Sequence, residues 1–241
     1  MVKIITDSTN DLPKELLEKL DIDVMPLYVN FEDKSYKDGI DITTDELYDI
    51  VKKNGKLPKT AGVTVGDFET KFKEYLDKGY DIVYTGISGV MSSTLNNALI
   101  AIDDLDASAR AFAIDSKNLS TGIGLLLLKA AKDRDNGLTA REIAERMEKN
   151  TDNVLSQFAI EQMDYLHKGG RCSGVARFAA TLLRIKPIIE VRGGKMDVQA
   201  KPIGKIKVAL DRMFNQLVSD KDRLDLDCIF ITHSIAPESK A

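Results

Sequence analysis

Asp81-Ile82-Val83-Tyr84-Thr85-Gly86-Ile87-Ser88-Gly89-Val90-Met91-Ser92-Ser93-Thr94-Leu95-Asn96-Asn97-Ala98 is the stretch that decides the fold. Asp81 to Tyr84 reads as a short buried strand, apolar and followed by small residues. Leu95 to Leu105 reads as a helix with Leu95, Leu99 and Ile102 on one side. Between them lie Gly86, Gly89, Ser88, Ser92, Ser93 and Thr94. A loop from a strand's carboxyl end to a helix start aims N–H groups and hydroxyls at a common spot. Such a spot suits a phosphate or a carboxylate. The same residues also fit a plain Ser/Thr-rich helix cap.

The neighbouring stretches repeat the pattern. Val2 to Thr6 reads as a strand, then Asp7-Ser8-Thr9-Asn10-Asp11, then a helix opened by Leu12-Pro13. Ile22 to Phe31 alternates as a strand or a pair of strands would, and Glu32 to Asp41 reads as a charged surface excursion. Thr43 to Glu46 fits a capping box before a helix carrying Leu47, Ile50 and Val51 inward. Pro58 to Thr64 reads as a loop before a helix with Phe68, Phe72, Tyr75 and Leu76 on one face. Arg110 to Ile114 is a further strand, ending in Asp115-Ser116. Gly122 and Gly124 lack the third glycine and the preceding strand of a dinucleotide loop, so they point to helix packing. Thr139 to Glu142 is another capping box. Alternating strands and helices with short connections predict a mostly parallel sheet flanked by helices over 1–150. Ligands of such sheets collect outside the strands' carboxyl ends.

From the polar stretch Lys149 to Asn153 onward the pattern changes, predicting a smaller α/β domain over 151–241. Leu155 to Ile160 reads as a strand and Gln162 to His167 as a short helix, followed by the basic turn Lys168-Gly169-Gly170-Arg171. Ser173 to Leu183 is a nearly all-apolar helix, buried or lining a cavity. Pro187 to Val191 and Met196 to Ala200 form a hairpin around Arg192-Gly193-Gly194-Lys195. A helix runs from Gly204 to Ser219, and Leu226 to Thr232 reads as a buried strand ending at His233. Pro237-Glu238 looks like the first turn of a new helix, yet the chain stops at Ala241, so this reading leaves the second domain incomplete.

Composition narrows the function classes. The 241 residues are 43% hydrophobic and 30% charged, as in a globular protein, and carry a net charge of −4. No basic block stands out, which argues against a nucleic-acid binder. The longest apolar run, Ile123 to Lys129, is too short to span a bilayer, and Val2-Lys3-Ile4-Ile5 does not resemble a leader. Cys172 and Cys228 match no metal spacing. The expectation is a cytoplasmic protein without metal or cofactor and without stable membrane insertion.

Thr6-Asp7-Ser8 with Leu12-Pro13, Thr60 after Pro58-Lys59, Ile87 to Thr94, Asp115-Ser116 with Gly122, and Lys168 to Arg171 together resemble the DegV family in order and spacing. The resemblance covers nearly the whole chain. It implies a bacterial fatty-acid-binding protein of two α/β domains, with a long-chain fatty acid in a tunnel between them. It implies further that hydroxyls of two loops, here Thr60 and Ser92, hold the carboxylate, with Ser93 and Thr94 beside them. Some members deliver the acid to a fatty-acid kinase. The chain departs from the family at Ala61, often a hydroxyl residue, and at Ser93, usually glycine. Pro202 to Ile206 stands where an Arg-x-Arg is common, and a final segment with a His and a Gly-Pro-Gly turn has no counterpart.

The residues suit that task physically. A buried carboxylate needs several donors, because leaving it unpaired costs several kcal/mol. Thr60, Ser92 and the first amides of the following helix would supply them. Each buried methylene of the tail offers about 0.8 kcal/mol. Phe178, Ala179, Leu182, Leu183 and Ile188 offer an apolar wall, or plain domain core. Arg171 would approach a ligand head, or else cap nearby carbonyls at the start of its helix. Asp7 and Asp115 would accept N–H bonds in adjoining turns rather than hold a metal. No nucleophile elbow, P-loop or triad spacing is present, so no catalytic residue is assigned. The alternative is an enzyme acting on a small phosphorylated or carboxylated metabolite at the same loops.

Overall fold

A computed structural model describes residues 1–161, 164–172 and 185–234. Its centre is a four-stranded parallel sheet of β1 (Val2–Asp7), β2 (Ile22–Met25), β6 (Asp81–Gly86) and β7 (Ala111–Asp115), in the order β2-β1-β6-β7. The two central strands bury both faces. Ile4 and Val83 pack into one cluster with Leu12, Ile123, Leu127 and Ile143. Ile5, Ile82 and Tyr84 pack into another with Phe68, Phe72, Ala98 and Ile102. Alternate residues of β1 and β6 therefore serve opposite cores, which is why both strands read as continuous apolar runs.

The helices divide between those faces. α1 (Lys14–Lys19), α5 (Thr121–Asp135) and α6 (Ala140–Asn150) cover the first. α3 (Val65–Asp77) and α4 (Thr94–Asp104) cover the second. α2 (Thr44–Asn54) begins at the capping box Thr43/Glu46 and α6 at Thr139/Glu142, both as expected, and α3 begins at a third box, Thr64/Asp67. Gly122 and Gly124 lie inside α5, the first against Asn118 and Ser156 and the second against Leu12, so helix packing is their role. The buried face of α4 is Thr94, Ala98, Ala101 and Ile102, whereas Leu99 is 47% exposed. The expected face of Leu95, Leu99 and Ile102 is therefore rotated, because small residues let α4 approach the sheet and α3 closely.

Two smaller sheets complete the molecule. β3 (Tyr28–Asn30) pairs antiparallel with β4 (Ser35–Lys37) and β5 (Lys59–Ala61), in the order β4-β3-β5. The stretches expected as a surface excursion and a loop thus each contain a three-residue strand. The other sheet is β8 (Ser156–Ala159), β9 (Ile188–Arg192) and β10 (Lys195–Ala200), in the order β10-β9-β8. α7 (Asp164–Gly169) follows β8, and α8 (Ile206–Ser219) packs Ile206, Ala209 and Met213 onto Ile188 and Ala200.

Residues 226–232, expected as a buried strand, form no strand and have no strand partner among the described residues; Ile231 is 93% exposed and His233 is exposed too. The apolar run Cys228-Ile229-Phe230-Ile231 is there, but among the described residues no neighbouring strand takes up its backbone groups. The apolar helix expected over 173–183 and the turn at 237–238 lie outside the described residues. Among the described residues no helix is long and apolar enough to cross a membrane.

Candidate functional site

The parallel sheet reverses its direction of growth between β1 and β6, since β1 leads outward to β2 and β6 leads the other way to β7. A crevice forms outside the strand ends at such a point. Three loops converge there: Ser8–Asn10 after β1, Ile87–Ser93 after β6 and Ser116–Ser120 after β7.

Asp7, the last residue of β1, ties the first two loops together. Its Oδ1 accepts from the Thr9 amide at 3.0 Å and from the Thr9 hydroxyl, and its Oδ2 accepts from the Ile87 amide at 2.9 Å and Tyr84 OH at 3.2 Å. Tyr84 is held in turn by an edge-on contact with Phe68, ring centroids 4.9 Å apart. Burial pushes the Asp7 carboxyl above its ordinary range, against the pull of these four bonds. Burial and the neighbouring Asp7 push the Tyr84 phenol up as well. The expectation that Asp7 accepts turn N–H bonds holds, and the carboxylate does more, because it fixes the start of the central loop. Asp115 works similarly, accepting from the Lys117 amide at 2.8 Å and the Gly89 amide at 3.2 Å.

Ser88, fully buried, organises the loop itself. Its amide donates to Asn118 O at 2.9 Å, and its carbonyl accepts from the Met91 amide at 2.9 Å and the Ser92 amide at 3.1 Å. The Thr94 amide donates to Ser92 Oγ at 3.2 Å, and the Ser92 and Thr94 hydroxyls lie 2.8 Å apart. The start of α4 is thereby lined with hydroxyls, while the helix dipole favours negative charge there.

Thr60 lies on β5, paired opposite Val29 and exposed. Two residues on, Gly62 touches the start of α4: a Cβ at this position would overlap Thr94 Oγ1 and come within 3.3 Å of Ser92 Oγ and the Thr94 amide. Asn97 Nδ2 donates to Val63 O at 2.8 Å and holds the two segments together. The Thr60 segment and the Ser92-Ser93-Thr94 segment are therefore adjacent. Arg171 stands elsewhere on the same loop's surroundings. Its guanidinium donates to Gly169 O at 2.6 Å, and it lines a cavity of about 470 Å³ shared with Val90, Met91, Lys195 and Met196. Ile188, offered as apolar wall, is core between β9 and α8. Phe178, Ala179, Leu182 and Leu183 lie outside the described residues.

The second sheet contributes contacts that the sequence reading missed. Met91 and Leu119 pack with Cys172, Ile189, Val191 and Met196. Ser156 Oγ donates to Asn118 Oδ1 at 2.6 Å. Gly194, in the β9–β10 turn, abuts Ser88 and Val90. Among the described residues no three His, Cys, Asp or Glu side chains group so as to hold a metal ion.

Comparison with known proteins agrees over the whole chain. The family model described as "Uncharacterised protein, DegV family" matches residues 1–240. A DegV domain-containing protein of Clostridium acetobutylicum is 40% identical over 228 residues, covering 95% of this chain and 77% of the relative. A DegV family protein from Thermus thermophilus, solved for its fatty acid binding, superposes with a TM-score of 0.82 at 26% identity, over 90% of this chain and 77% of that one. A stearic acid-binding protein from Eubacterium ventriosum superposes with a TM-score of 0.82 at 28% identity, over 92% of this chain and 78% of that one. The chain belongs to the DegV family.

Proposed function

We propose that this chain binds a long-chain fatty acid in the cytoplasm without transforming it. The observation that carries the reading is the seating of Gly62 against Ser92 and Thr94, which sets the Thr60 segment beside the hydroxyl-lined start of α4. Two solved relatives bind fatty acids, one of them stearic acid, which supports the same ligand class here. In this reading Thr60 and Ser92 donate to the carboxylate, with Ser93 and Thr94 completing the surroundings of the head group, while Arg171, in the cavity beside Val90 and Met91, is left without a head-group contact. The acyl chain runs in an apolar tunnel between an N-terminal domain, 1–150, and a C-terminal domain, 151–241. Sixteen carbons would offer on the order of 10 kcal/mol of gross burial energy, so affinity resides in the tail and orientation in the head. Presentation of the bound acid to a fatty-acid kinase is the further step of the same reading.

Denaturing extraction of the purified protein, followed by mass spectrometry of the organic phase, tests it. One fatty acid per chain is expected. The Thr60→Val/Ser92→Ala double variant is expected to bind about 100- to 10,000-fold more weakly, the loss of two hydrogen bonds to a charged group. Undiminished binding by that variant removes the head-group assignment. An empty wild-type protein that turns over a phosphorylated or carboxylated metabolite removes the carrier reading altogether.

A further inference from the structure

The β9–β10 hairpin turns through only two residues, Gly193 and Gly194, with Arg192 paired opposite Lys195. Both glycines adopt positive φ, +54° and +78°, as a two-residue hairpin of this hand requires. Their surroundings differ. A Cβ on Gly193 meets nothing within 4 Å, whereas a Cβ on Gly194 would stand 2.5 Å from Ser88 Oγ and 3.3 Å from Val90 Cγ2. Ser88 is the residue whose carbonyl receives the Met91 and Ser92 amides and whose hydroxyl accepts from the Val90 amide at 3.3 Å. The turn of the second sheet thus rests on the residue that shapes the loop leading to Ser92. Beside it, Met91 of that loop sits in the apolar cluster of the second sheet with Val191 and Met196.

We infer that Gly194 is a positioning residue: its bare backbone lets the hairpin seat on Ser88 and so sets the shape of the loop that carries Ser92. The placement of the second sheet and the geometry of the anion loop are then coupled through this one contact. The part of the inference that concerns ligand rests on the fatty-acid reading above; the part that concerns the loop does not.

Gly193→Ala and Gly194→Ala form a matched pair, since each puts a methyl group on a positive-φ residue of the same turn, and only the second meets Ser88. Amide hydrogen exchange of Met91 and Ser92 in ligand-free protein is the first readout. Exchange at both amides is expected to be at least about three-fold faster in Gly194→Ala than in Gly193→Ala, at matched global stability. In a Ser88→Ala background the obstructing hydroxyl is gone and the nearest remaining atoms are Val90 Cγ2 at 3.3 Å, the tip of an exposed side chain, and Ser88 Cβ at 3.7 Å, so the ratio is expected to fall back toward one. Equal exchange in the two glycine variants overturns the inference, as does a difference that survives undiminished in the Ser88→Ala background.

The second readout is the release rate of bound myristate, palmitate and stearate. Gly194→Ala is expected to release all three faster than Gly193→Ala does, by the same factor, because the contact acts on the head-group loop. A factor that grows with acyl length would make the hairpin a wall of the tunnel and overturn the positioning role. A wild-type protein that binds none of the three defeats the fatty-acid reading, while the exchange measurement still decides the role of Gly194.

Discussion

The parallel sheet and the helix α8 bury their residues by different rules. In β1 and β6, Ile4, Ile5, Ile82, Val83 and Tyr84 are all at 0% exposure, because helices cover both faces. Of the fourteen residues of α8 only Ala209 is buried, while Leu210, Phe214, Leu217 and Val218 stand 37–65% exposed. A side chain enclosed on all sides cannot be trimmed without leaving a cavity, whereas one on an open face leaves none. The enclosed parallel sheet is therefore the platform on which the three converging loops are fixed, and α8 is an outer layer with one face open.

The largest expected effect tests that contrast directly. Phe72→Ala removes a ring packed against Phe68 and Tyr84, with centroid distances of 5.3 and 6.4 Å, and is expected to cost about 3–5 kcal/mol. Phe214→Ala, at 65% exposure, is expected to change stability by less than about 0.5 kcal/mol. Urea unfolding of the two variants measures both. A loss in Phe214→Ala comparable with that in Phe72→Ala would mean that the outer face of α8 is covered in solution, and the contrast would fall.

A smaller effect concerns the start of β1, four residues before Asp7. Lys3 is buried and its ammonium bridges Asp21 at 2.6 Å and Asp23 at 2.9 Å. Burial works against the Lys3 charge, but the hydrogen bonds and the charge of Asp23 more than offset it and hold its pKa well above the usual lysine value. Burial likewise raises the Asp23 carboxyl, yet the bonds from Tyr75 and Lys3 and the charges of Lys3 and Lys71 bring it below the usual range. Tyr75 is pushed up to about 12, by burial first and then by its bond to Asp23. A depressed carboxyl stabilises the fold above its unfolded pKa, near 4, and loses that contribution as pH falls through the folded value. A raised phenol stabilises below 10 and loses its contribution as pH climbs toward 12. Lys3→Met is expected to cost about 1–3 kcal/mol at pH 7, because Asp23 keeps only Lys71 and Tyr75. The variant should also show a shallower fall of stability below pH 4 than the wild type. Parallel slopes in the two proteins would remove Asp23 from the acid response.

What the sequence disclosed and what it hid follow from the range of the interactions. Capping boxes at Thr43/Glu46 and Thr139/Glu142 are local, so the residues themselves announce them. The parallel sheet announces itself through apolar runs ended by hydroxyl loops. The β4-β3-β5 sheet does not, since Ser35–Lys37 and Lys59–Ala61 are three-residue strands whose pairing is set by partners elsewhere. The reverse error occurs at Leu226 to Thr232, where an apolar run is present but, among the described residues, no partner strand is. At the site, Ser92 and Thr60 were legible as hydroxyls in loops. Gly62, which seats the segment after Thr60 against the start of α4, was not, because its meaning lies in Ser92 and Thr94 thirty residues on. Gly194 was read only as a hairpin glycine, for the same reason.

The smallest effect sharpens the comparison from the helix ends. α2, α3 and α6 each start at a Thr whose side chain accepts from an amide of the first turn, with an acidic residue reaching back. α8 starts at Lys205, in the extended conformation of an N-cap at φ −76° and ψ 157°, with no side-chain bond to its first amides. Lysine there also sets a positive charge at the positive end of the helix dipole. Lys205→Asp supplies an acceptor in the right geometry and reverses that charge, so it is expected to stabilise α8 by about 1 kcal/mol. Thr43→Ala is the matched loss, of similar size, at the start of α2. If the molecule unfolds as one cooperative unit, both changes move a single urea midpoint, in opposite directions. If the second sheet and α8 unfold separately from the parallel sheet, Lys205→Asp shifts only a first, smaller transition and Thr43→Ala only the main one. The pattern of shifts decides whether the contacts at Met91, Asn118 and Gly194 join the two bodies into one folding unit or only rest them side by side.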